Sequence, residues 1–473
     1  MVLNSLGRLL EQLRELERAE AVLRTSLRLD PQQPKVIQHW VHLRQKQCKW
    51  PVYAALEGVS HADLVRATSP LALLAAGEDP GLQLAAAVRF ARERVEVRVP
   101  ALAPAGGYAH ARLRVGFLSS DFCMHPVALL TVELFELLDR ARFELHGFCW
   151  SREDGSETRA RIRRAFEHFE TIGALDDARA ALLIREREID VLIDLQGLTA
   201  GARPDILAQR PAPVQISYLG FPGPTSLPGV DHVIADRYVI PESERPFYSE
   251  TPLYLPDVFQ CSDRQRPVAP TPTRAECGLP EDALVFCCFN NNYKFTPEML
   301  SSWVRILQRV PNGVLWLLGD NAWAQDNLLA EAQRFGLARE RVIFAGRVSP
   351  PAYLARYRVA DVFLDTYPFN GGTTANDALW MGLPVLTRSG RTFASRMAGS
   401  LLRGLGLPEL IATSQADYEQ RAVELATRPG LLPALKQRLA CARESAVLFD
   451  MPRFVRAFEE LLASAARGAA TPP

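Results

Sequence analysis

The chain lacks an excess of either charge, a long apolar run and a cysteine framework. Its 473 residues contain 54 lysines and arginines against 54 aspartates and glutamates, so no global basic field favours a nucleic-acid partner. No run approaches the roughly 18 apolar residues of a membrane helix, and the charged stretch 7–18 is unlike a signal peptide. We therefore expect a soluble, cytoplasmic protein that binds neither nucleic acid nor membrane.

The eight cysteines are scattered along the chain, and only Cys287 and Cys288 are adjacent. These two lie in a strand-like run, where neighbouring side chains point to opposite faces. The pattern is typical of reduced, mostly buried thiols and indicates neither disulfide bonds nor a zinc site. An Asp-x-Asp motif of the kind that holds a metal on a diphosphate is also missing from the sequence.

The length suggests about three domains, and the first segment, 1–105, is predicted to be helical. Several of its residues fall at the spacings of a tetratricopeptide helix pair: Leu6, Gly7, Leu10, Ala19, Leu23, Ser26 and Pro31. An ordinary amphipathic hairpin is the alternative. Since one repeat cannot bury both of its faces, the segment is either the end of a longer array or a cap packed on the next domain.

Strand and helix patterns alternate in the rest of the chain. The first set of strands is predicted at 113–118, 143–149, 190–194, 214–219, 232–235 and 252–255, and the second at 284–289, 313–318, 342–345, 361–364, 384–387 and 410–412. This alternation is typical of parallel sheets with crossover helices. We predict two Rossmann-like domains, 106–262 and 283–465, a linker at 263–282 and a disordered tail at 466–473.

The stretch 364–380 is the most informative turn of the second domain. An apolar strand ends there, Gly371 and Gly372 come next, and a helix opens with Thr373 and Thr374. Free amides at a helix start and the helix dipole favour a phosphate, while Asp377, one turn later, is placed to accept bonds from a sugar hydroxyl such as a ribose. A helix cap with no ligand is the alternative explanation.

Polar or glycine-rich turns also come after other predicted strands. His125 lies in the first crossover turn, and Lys294 ends an amide-rich turn after the strand 284–289. Both could be structural, but ligands of such sheets bind at the carboxyl ends of the strands, where these residues lie. The turns after Asp194 and at Leu219 and Gly220 add to the same rim. The sequence thus predicts one cleft between the two domains.

Taken together, these stretches resemble the catalytic region of the O-linked N-acetylglucosamine transferases and their SPINDLY-type relatives, with a shortened tetratricopeptide segment in front. The resemblance runs from about Leu6 to near residue 460 and rests on ordered motifs, among them Ser119 to Phe122 with His125 and Pro126, Arg210 to Gln215, Leu219 and Gly220, Tyr293 and Lys294, Asp365 and Thr366, Thr373 and Thr374, and Ala394 to Arg396. It implies the two-domain GT-B arrangement and an inverting transfer of N-acetylglucosamine from UDP-GlcNAc to protein Ser or Thr hydroxyls, without a bound metal.

The resemblance also implies roles for individual residues. His125 and Lys294 would be catalytic, with Lys294 on the donor diphosphate and His125 near the sugar and the acceptor. The remaining matched positions would bind the donor: Leu219, Gly220, Asn291, Arg356, Thr373, Thr374 and Asp377. The proton of the attacking hydroxyl could pass to His125, to a donor phosphate oxygen or to Asp194.

Four positions depart from the animal members of this family. Gly372 and Tyr353 stand in place of histidines, Asn291 in place of a glutamine, and Pro350 in place of a lysine. A relative that uses GDP-fucose or another UDP-hexose, or that acts on a small molecule or an amide, therefore stays open. A scaffold with a vestigial nucleotide site is a further alternative, which the joint presence of the matched residues disfavours. The oligomeric state cannot be predicted.

Overall fold

The computed structural model describes residues 2–95 and 99–469. The first part is helical, as predicted, and consists of α1 Val2–Gln12, α2 Leu16–Leu29, α3 Pro34–Lys46, α4 His61–Ala67, α5 Pro70–Ala76 and α6 Pro80–Arg94. Side-chain oxygens of Ser60, Ser69 and Asp79 accept first-turn amides and so fix where the last three helices begin.

The helices α1 and α2 form a tightly packed hairpin. A Cβ atom placed on Gly7 would lie 2.6 Å from Cδ2 of Leu23, so the two helices approach as closely as glycine permits. Leu23 and Trp40 are buried in the core of this segment. The spacing that predicts a tetratricopeptide pair therefore corresponds to a real helical hairpin, while its assignment to that repeat family stays a prediction.

The first sheet has seven parallel strands in the order β3-β2-β1-β4-β5-β6-β7. Its strands are β1 Leu113–Ser119, β2 Phe143–Cys149, β3 His168–Thr171, β4 Val191–Asp194, β5 Val214–Ser217, β6 His232–Asp236 and β7 Thr251–Leu255. The helices between them are α7 Pro126–Leu137, α8 Glu157–Ala165, α9 Asp177–Glu186 and α10 Pro204–Ala208. Sequence analysis missed β3, an edge strand with no fully buried residue, because it lacks the apolar run that reveals the others.

The second sheet has six parallel strands in the order β10-β9-β8-β11-β12-β13. They are β8 Leu284–Cys288, β9 Gly313–Leu318, β10 Val342–Ala345, β11 Val362–Leu364, β12 Val385–Arg388 and β13 Ile411–Ala412. The helices are α11 Pro297–Arg309, α12 Ala322–Arg334, α13 Pro350–Arg356, α14 Thr373–Trp380, α15 Met397–Gly404, α16 Gln415–Thr427, α17 Leu431–Ser445 and α18 Met451–Ala469. Each sheet thus reproduces the predicted parallel, helix-covered architecture.

The last helix corrects the predicted domain limits. Although the second domain was predicted to reach residue 465, α18 returns to the first domain and packs against α7, β5 and β7. The ring of Phe458 lies 5.5 Å from that of Tyr218, and Glu459 accepts the amide of Asp139 at 2.8 Å. An amphipathic pattern predicts a helix but not its partner. The helix continues through Ala469, into the predicted tail, and residues 470–473 lie outside the described part.

The helical segment is attached to the second domain beside the cleft. Side-chain amides of Asn321 and Asn327 donate to the carbonyls of Lys46 and Gln47 at 3.0 and 2.9 Å. The buried thiol of Cys48 donates to the carbonyl of Asn292 at 3.4 Å. The segment therefore packs as a cap on the two-sheet region. Within the described ranges, no helix combines the length and the apolar character that crossing a bilayer requires.

Candidate active site

A cavity of about 740 Å³ lies between the carboxyl ends of the two sheets. It is lined by the turns after β1, β4, β5 and β7 of the first domain and after β8, β10 and β11 of the second. All the predicted site residues line it: His125, Leu219, Gly220, Asn291, Lys294, Arg356, Thr373, Thr374 and Asp377. A smaller cavity of about 450 Å³ lies at the amino ends of the first sheet, where ligands of parallel sheets do not ordinarily bind.

The glycine-rich turn of the second domain is held by Asp365, which comes directly after β11 and is fully buried. Its carboxylate accepts the amide of Gly371 at 2.7 Å, Nδ2 of Asn290 at 2.9 Å and the hydroxyl of Thr387 at 2.7 Å. Burial raises the pKa of Asp365 to about 6. These bonds fix the turn in position before any ligand arrives.

The helix α14 begins at Thr373, directly after this turn. Gly372 stands at the cap position, so no side chain caps the first-turn amides, and Gly372, Thr373 and Thr374 line the cavity. The hydroxyl of Thr374 donates to Oδ1 of Asn290, which fixes its rotamer. An uncapped helix start beside a cavity is suited to an anion, because free amides and the helix dipole both favour negative charge.

Lys294 supplies a cation on the same side of the cavity. Its side chain is almost fully buried, Nζ donates to the carbonyl of Asn370 at 2.8 Å, and it lies 3.7 Å from the ring centroid of Phe369. The buried carboxylate of Asp365 interacts with this ammonium electrostatically, and within the part of the chain that the structure describes Nζ has no carboxylate oxygen in direct ion-pair contact. Burial lowers the pKa of Lys294 to about 8. A phosphate at this end of the cavity would add a second negative charge to that of Asp365 and stabilise the ammonium form.

Asp377 lies one turn into α14 and is paired with Arg266 of the linker. Both side chains are buried, with 3% and 7% exposure, and both line the cavity. Sequence analysis missed Arg266, since nothing in a proline-rich linker marks one arginine among several. The pair leaves Oδ2 of Asp377 for a further partner; the ribose contact expected of this carboxylate stays a prediction.

Asn291 and Arg356 lie at the margin of the cavity. The carbonyl of Asn291 accepts the amide of Lys294 at 2.9 Å and so helps to close the turn that carries the lysine. The guanidinium of Arg356 donates to the carbonyl of Gly346 at 2.5 Å, which draws it toward the turn after β10. Both residues are placed to contact a ligand, and their roles stay predictions.

The first domain contributes His125, the residue before α7. Its Nδ1 accepts a hydrogen bond from the amide of Val127 at 3.4 Å and lies 3.4 Å from Oδ2 of Asp121. Burial lowers the pKa of His125, and the Asp121 carboxylate opposes this shift. The imidazole is about two-fifths exposed and faces the cavity. It is suited to accept a proton or to position a hydroxyl.

Gln196 orders the turn around Asp121 and was not singled out by sequence analysis. Its Nε2 donates to Oδ2 of Asp121, to the hydroxyl of Thr199 and to the carbonyl of Ala200, each at 3.0 Å. Its Oε1 accepts the amide of Ser120 at 3.1 Å. The one sequence signal near Gln196 was the glycine-rich turn in which it lies.

Asp194, the remaining candidate base, does not line the cavity. Its carboxylate accepts the amides of Gly197 and Gln196 at 2.8 and 3.2 Å, and burial raises its pKa to about 7. It therefore shapes the turn after β4. Nearby, a Cβ atom on Gly220 would lie 2.0 Å from the carbonyl oxygen of Leu195, so only glycine fits there, and Leu219 has a φ of +68°.

Comparisons with known proteins agree with this geometry. The family model of Glycosyl transferase family 41 matches residues 103–270 and 267–458. The probable UDP-N-acetylglucosamine--peptide N-acetylglucosaminyltransferase SEC of Arabidopsis thaliana is 38% identical over 361 residues, 75% of this chain and 37% of that protein. The UDP-N-acetylglucosamine--peptide N-acetylglucosaminyltransferase of Caenorhabditis elegans is 28% identical, with 74% and 40% covered. This chain thus spans about two-fifths of these relatives.

A mutant of the O-GlcNAc transferase of Thermobaculum terrenum has a similar structure over nearly the whole chain. The TM-score is 0.84 at 28% identity, with 99% of this chain and 91% of that chain covered. This similarity includes the helical segment as well as both sheets, and it confirms the predicted GT-B arrangement. Because the family model matches most of the chain and the fold agrees with it, the chain belongs to Glycosyl transferase family 41.

Proposed function

We propose that the chain is an inverting glycosyltransferase that moves N-acetylglucosamine from UDP-GlcNAc to Ser or Thr hydroxyls of cytoplasmic proteins. The observation that carries this proposal is the buried lysine Lys294, whose Nζ donates to a backbone carbonyl, beside the uncapped start of α14 on the same cavity. The two provide positive charge for a diphosphate at the carboxyl end of the second sheet. The names of the relatives, which specify UDP-N-acetylglucosamine and a peptide acceptor, support the choice of substrates.

The reaction requires stabilisation of a leaving group. The acceptor oxygen attacks the anomeric carbon of the sugar, the bond from that carbon to the diphosphate oxygen breaks, and the configuration inverts. Negative charge grows on the departing UDP, where Lys294 and the amides at Thr373 and Thr374 stabilise it. No enzyme nucleophile is required, and because this charge comes from the protein, we propose a reaction without a metal.

The proton of the acceptor hydroxyl needs an acceptor within the cavity. His125 lines the cavity, and burial lowers its pKa, which favours the neutral, proton-accepting imidazole. A phosphate oxygen of the donor is the other acceptor in reach. Asp194 is not, because its carboxylate is bonded within its own turn away from the cavity.

Leu71 of the helical segment and the exposed Met124 also line the cavity. The helical segment therefore contributes to the wall of the cavity that an acceptor must enter. All eight cysteines are free thiols, which agrees with the reducing cytoplasm.

Calorimetric titration of the wild-type protein with UDP and with GDP tests the donor. The four positions that depart from the animal members all line the cavity: Gly372, Asn291, Tyr353 and Pro350. The identity of the nucleotide is therefore the part of the proposal that most needs a test. We expect UDP to bind and GDP to bind much more weakly. A higher affinity for GDP would overturn the donor assignment in favour of GDP-fucose.

A further inference from the structure

The cavity contains a buried carboxamide to which the proposed reaction assigns no role. Gln260 lies between β7 and the linker and is 2% exposed. It lines the cavity. Its Nε2 has no hydrogen-bond partner among the residues that the structure describes. A buried NH₂ group without an acceptor costs free energy, and native structures rarely retain one that serves no purpose.

The carboxamide lies against the start of α14. A Cβ atom placed on Gly372 would lie 3.4 Å from Oε1 of Gln260 and 3.7 Å from the sulfur of Met397. Because Gly372 has no side chain, Gln260 borders the space next to the first-turn amides of the helix. It is thus the side chain adjacent to the place where an anion would bind.

The neighbouring backbone holds Gln260 in place. The amide of Phe259 donates to Oδ2 of Asp236 at 2.8 Å, and the carbonyl of Phe259 accepts the hydroxyl of Tyr218 at 3.0 Å. The ring of Phe259 packs edge-on against Phe393 at 5.0 Å. The side chain of Gln260 is therefore presented from a backbone segment that is held on both sides, which is the condition for a preorganised ligand contact.

We infer that Gln260 is a donor-binding residue whose NH₂ group donates a hydrogen bond to the sugar-linked phosphate of the donor. A half-turn of the carboxamide about the Cγ–Cδ bond exchanges its two terminal atoms and brings the NH₂ group to the position beside Gly372. There a phosphate oxygen at the helix start supplies the acceptor that the protein does not. The inference rests on the proposed function, since it needs a nucleoside diphosphate donor in this cavity.

The test compares UDP with UMP, which lacks the second phosphate, in calorimetric titrations of the full chain. Gln260→Met keeps the size of the side chain and removes the NH₂ donor, while Gln260→Glu adds a like charge. We expect Gln260→Met to bind UDP roughly 10- to 100-fold more weakly, as for loss of a hydrogen bond to a charged group. Gln260→Glu should lose more UDP affinity than Gln260→Met. The affinity for UMP should stay at the wild-type value in both variants.

Thermal unfolding without ligand separates this role from a structural one. Replacing an unpartnered buried amide by an apolar side chain of similar shape is nearly neutral or stabilising, so Gln260→Met should unfold at or above the wild-type temperature. Gln215 is the matched control: it is fully buried, and its Nε2 donates to the carbonyls of Leu207 and Gly229 at 2.9 and 2.7 Å. Gln215→Met should lower the unfolding temperature and leave UDP affinity unchanged.

Three results would overturn the inference: unchanged UDP affinity in Gln260→Met, equal weakening of UDP and UMP, or a loss of stability as large as that of Gln215→Met. Each of these leaves wild-type UDP binding intact. Failure of the wild-type protein to bind UDP is a different result, because it refutes the proposed function itself.

Discussion

The two sheets end at the same cavity but present different surfaces to it. On the second sheet, buried side chains hold one another in a closed network, in which Asp365 accepts three hydrogen bonds and Asp377 pairs with Arg266. In the first domain, Gln196 orders the turn around Asp121, but the imidazole of His125 is two-fifths exposed, and its contacts to Val127 and Asp121 are both 3.4 Å long. One side of the cavity is therefore fixed, and the other is open to solvent.

This difference suits the two halves of a transfer reaction. A nucleotide donor is the same in every turnover, so a rigid site that carries positive charge in advance gains most from it. An acceptor protein varies in sequence and must enter and leave, which an open side permits. If the rigid and the open side have these separate tasks, variants of the two sides should fail in different ways.

Breaking the rigid network should have the largest effect on stability. Asp377→Asn leaves the buried guanidinium of Arg266 without its counter-charge, and we expect a loss of about 3–5 kcal/mol in the free energy of unfolding. The control is Asp257→Asn, which breaks an exposed pair with Arg453 and should cost at most about 1 kcal/mol. Urea unfolding measures both, and similar losses would show that the network does not stiffen this side.

Removing the cation of the rigid side should have the largest effect on chemistry. Lys294→Met should lower kcat about 10²- to 10³-fold, as does the loss of one stabilising donor to a developing anion. Lys436→Met is the matched control, because Lys436 is partly exposed and already paired with Asp361 at 3.2 Å. Turnover near the wild-type rate in Lys294→Met would show that the lysine does not act on the leaving group.

On the open side, His125→Ala should reduce transfer roughly 10²-fold, the lower range for a group that moves or positions a proton. His168→Ala is the control, since His168 is half-exposed in the same domain and lies outside the cavity. Initial rates with saturating UDP-GlcNAc give the comparison. Equal transfer rates of the two variants would show that His125 takes no part in the reaction.

The dependence of kcat/KM on pH should reveal the ionisation of Lys294 on the rigid side. Burial lowers the pKa of Lys294 from its usual 10.5 to about 8, so the ammonium is present below pH 8 and is lost as the pH rises through that value. We therefore expect kcat/KM to fall above about pH 8, by up to tenfold per pH unit. A profile that stays flat until pH 10 would show that Lys294 titrates as an ordinary, solvated lysine.

The smallest expected effect is that of a chelator. Lys294 and the start of α14 already supply charge for the diphosphate, so EDTA should leave turnover unchanged. Within the described chain, the three-residue group with metal-ligand geometry is Glu144, His146 and His168, and it lies outside the cavity. A loss of activity with EDTA that Mg²⁺ or Mn²⁺ restores would contradict this.

The sequence predicts the rigid side of the cavity better than its internal connections. Strand ends, glycines and hydroxyls are local signals, and the residues that they single out, Thr373, Thr374 and Lys294, line the cavity. The side chains around them come from distant positions: Arg266, which pairs with Asp377, lies 111 residues from it, and Gln260 reaches the helix start from the segment after the first domain's last strand. Pairing at such separations depends on the packing of two sheets, which no local pattern encodes.

The same limit explains the two errors in the fold. The edge strand β3 lacks the apolar run that marks a buried strand, and α18 has the pattern of a packed helix without any indication of which sheet it covers. Both features depend on tertiary context rather than on local sequence.

Calorimetric titration of His125→Ala with UDP tests the central claim, that the donor nucleotide is held by the second domain and the acceptor is served by the first. The account predicts wild-type affinity for UDP in a variant that has lost transfer, because the charged groups proposed to hold the diphosphate, Lys294 and the start of α14, belong to the second domain and His125 is not among the proposed UDP contacts. Loss of UDP binding in parallel with activity, in a protein that remains folded, would contradict it.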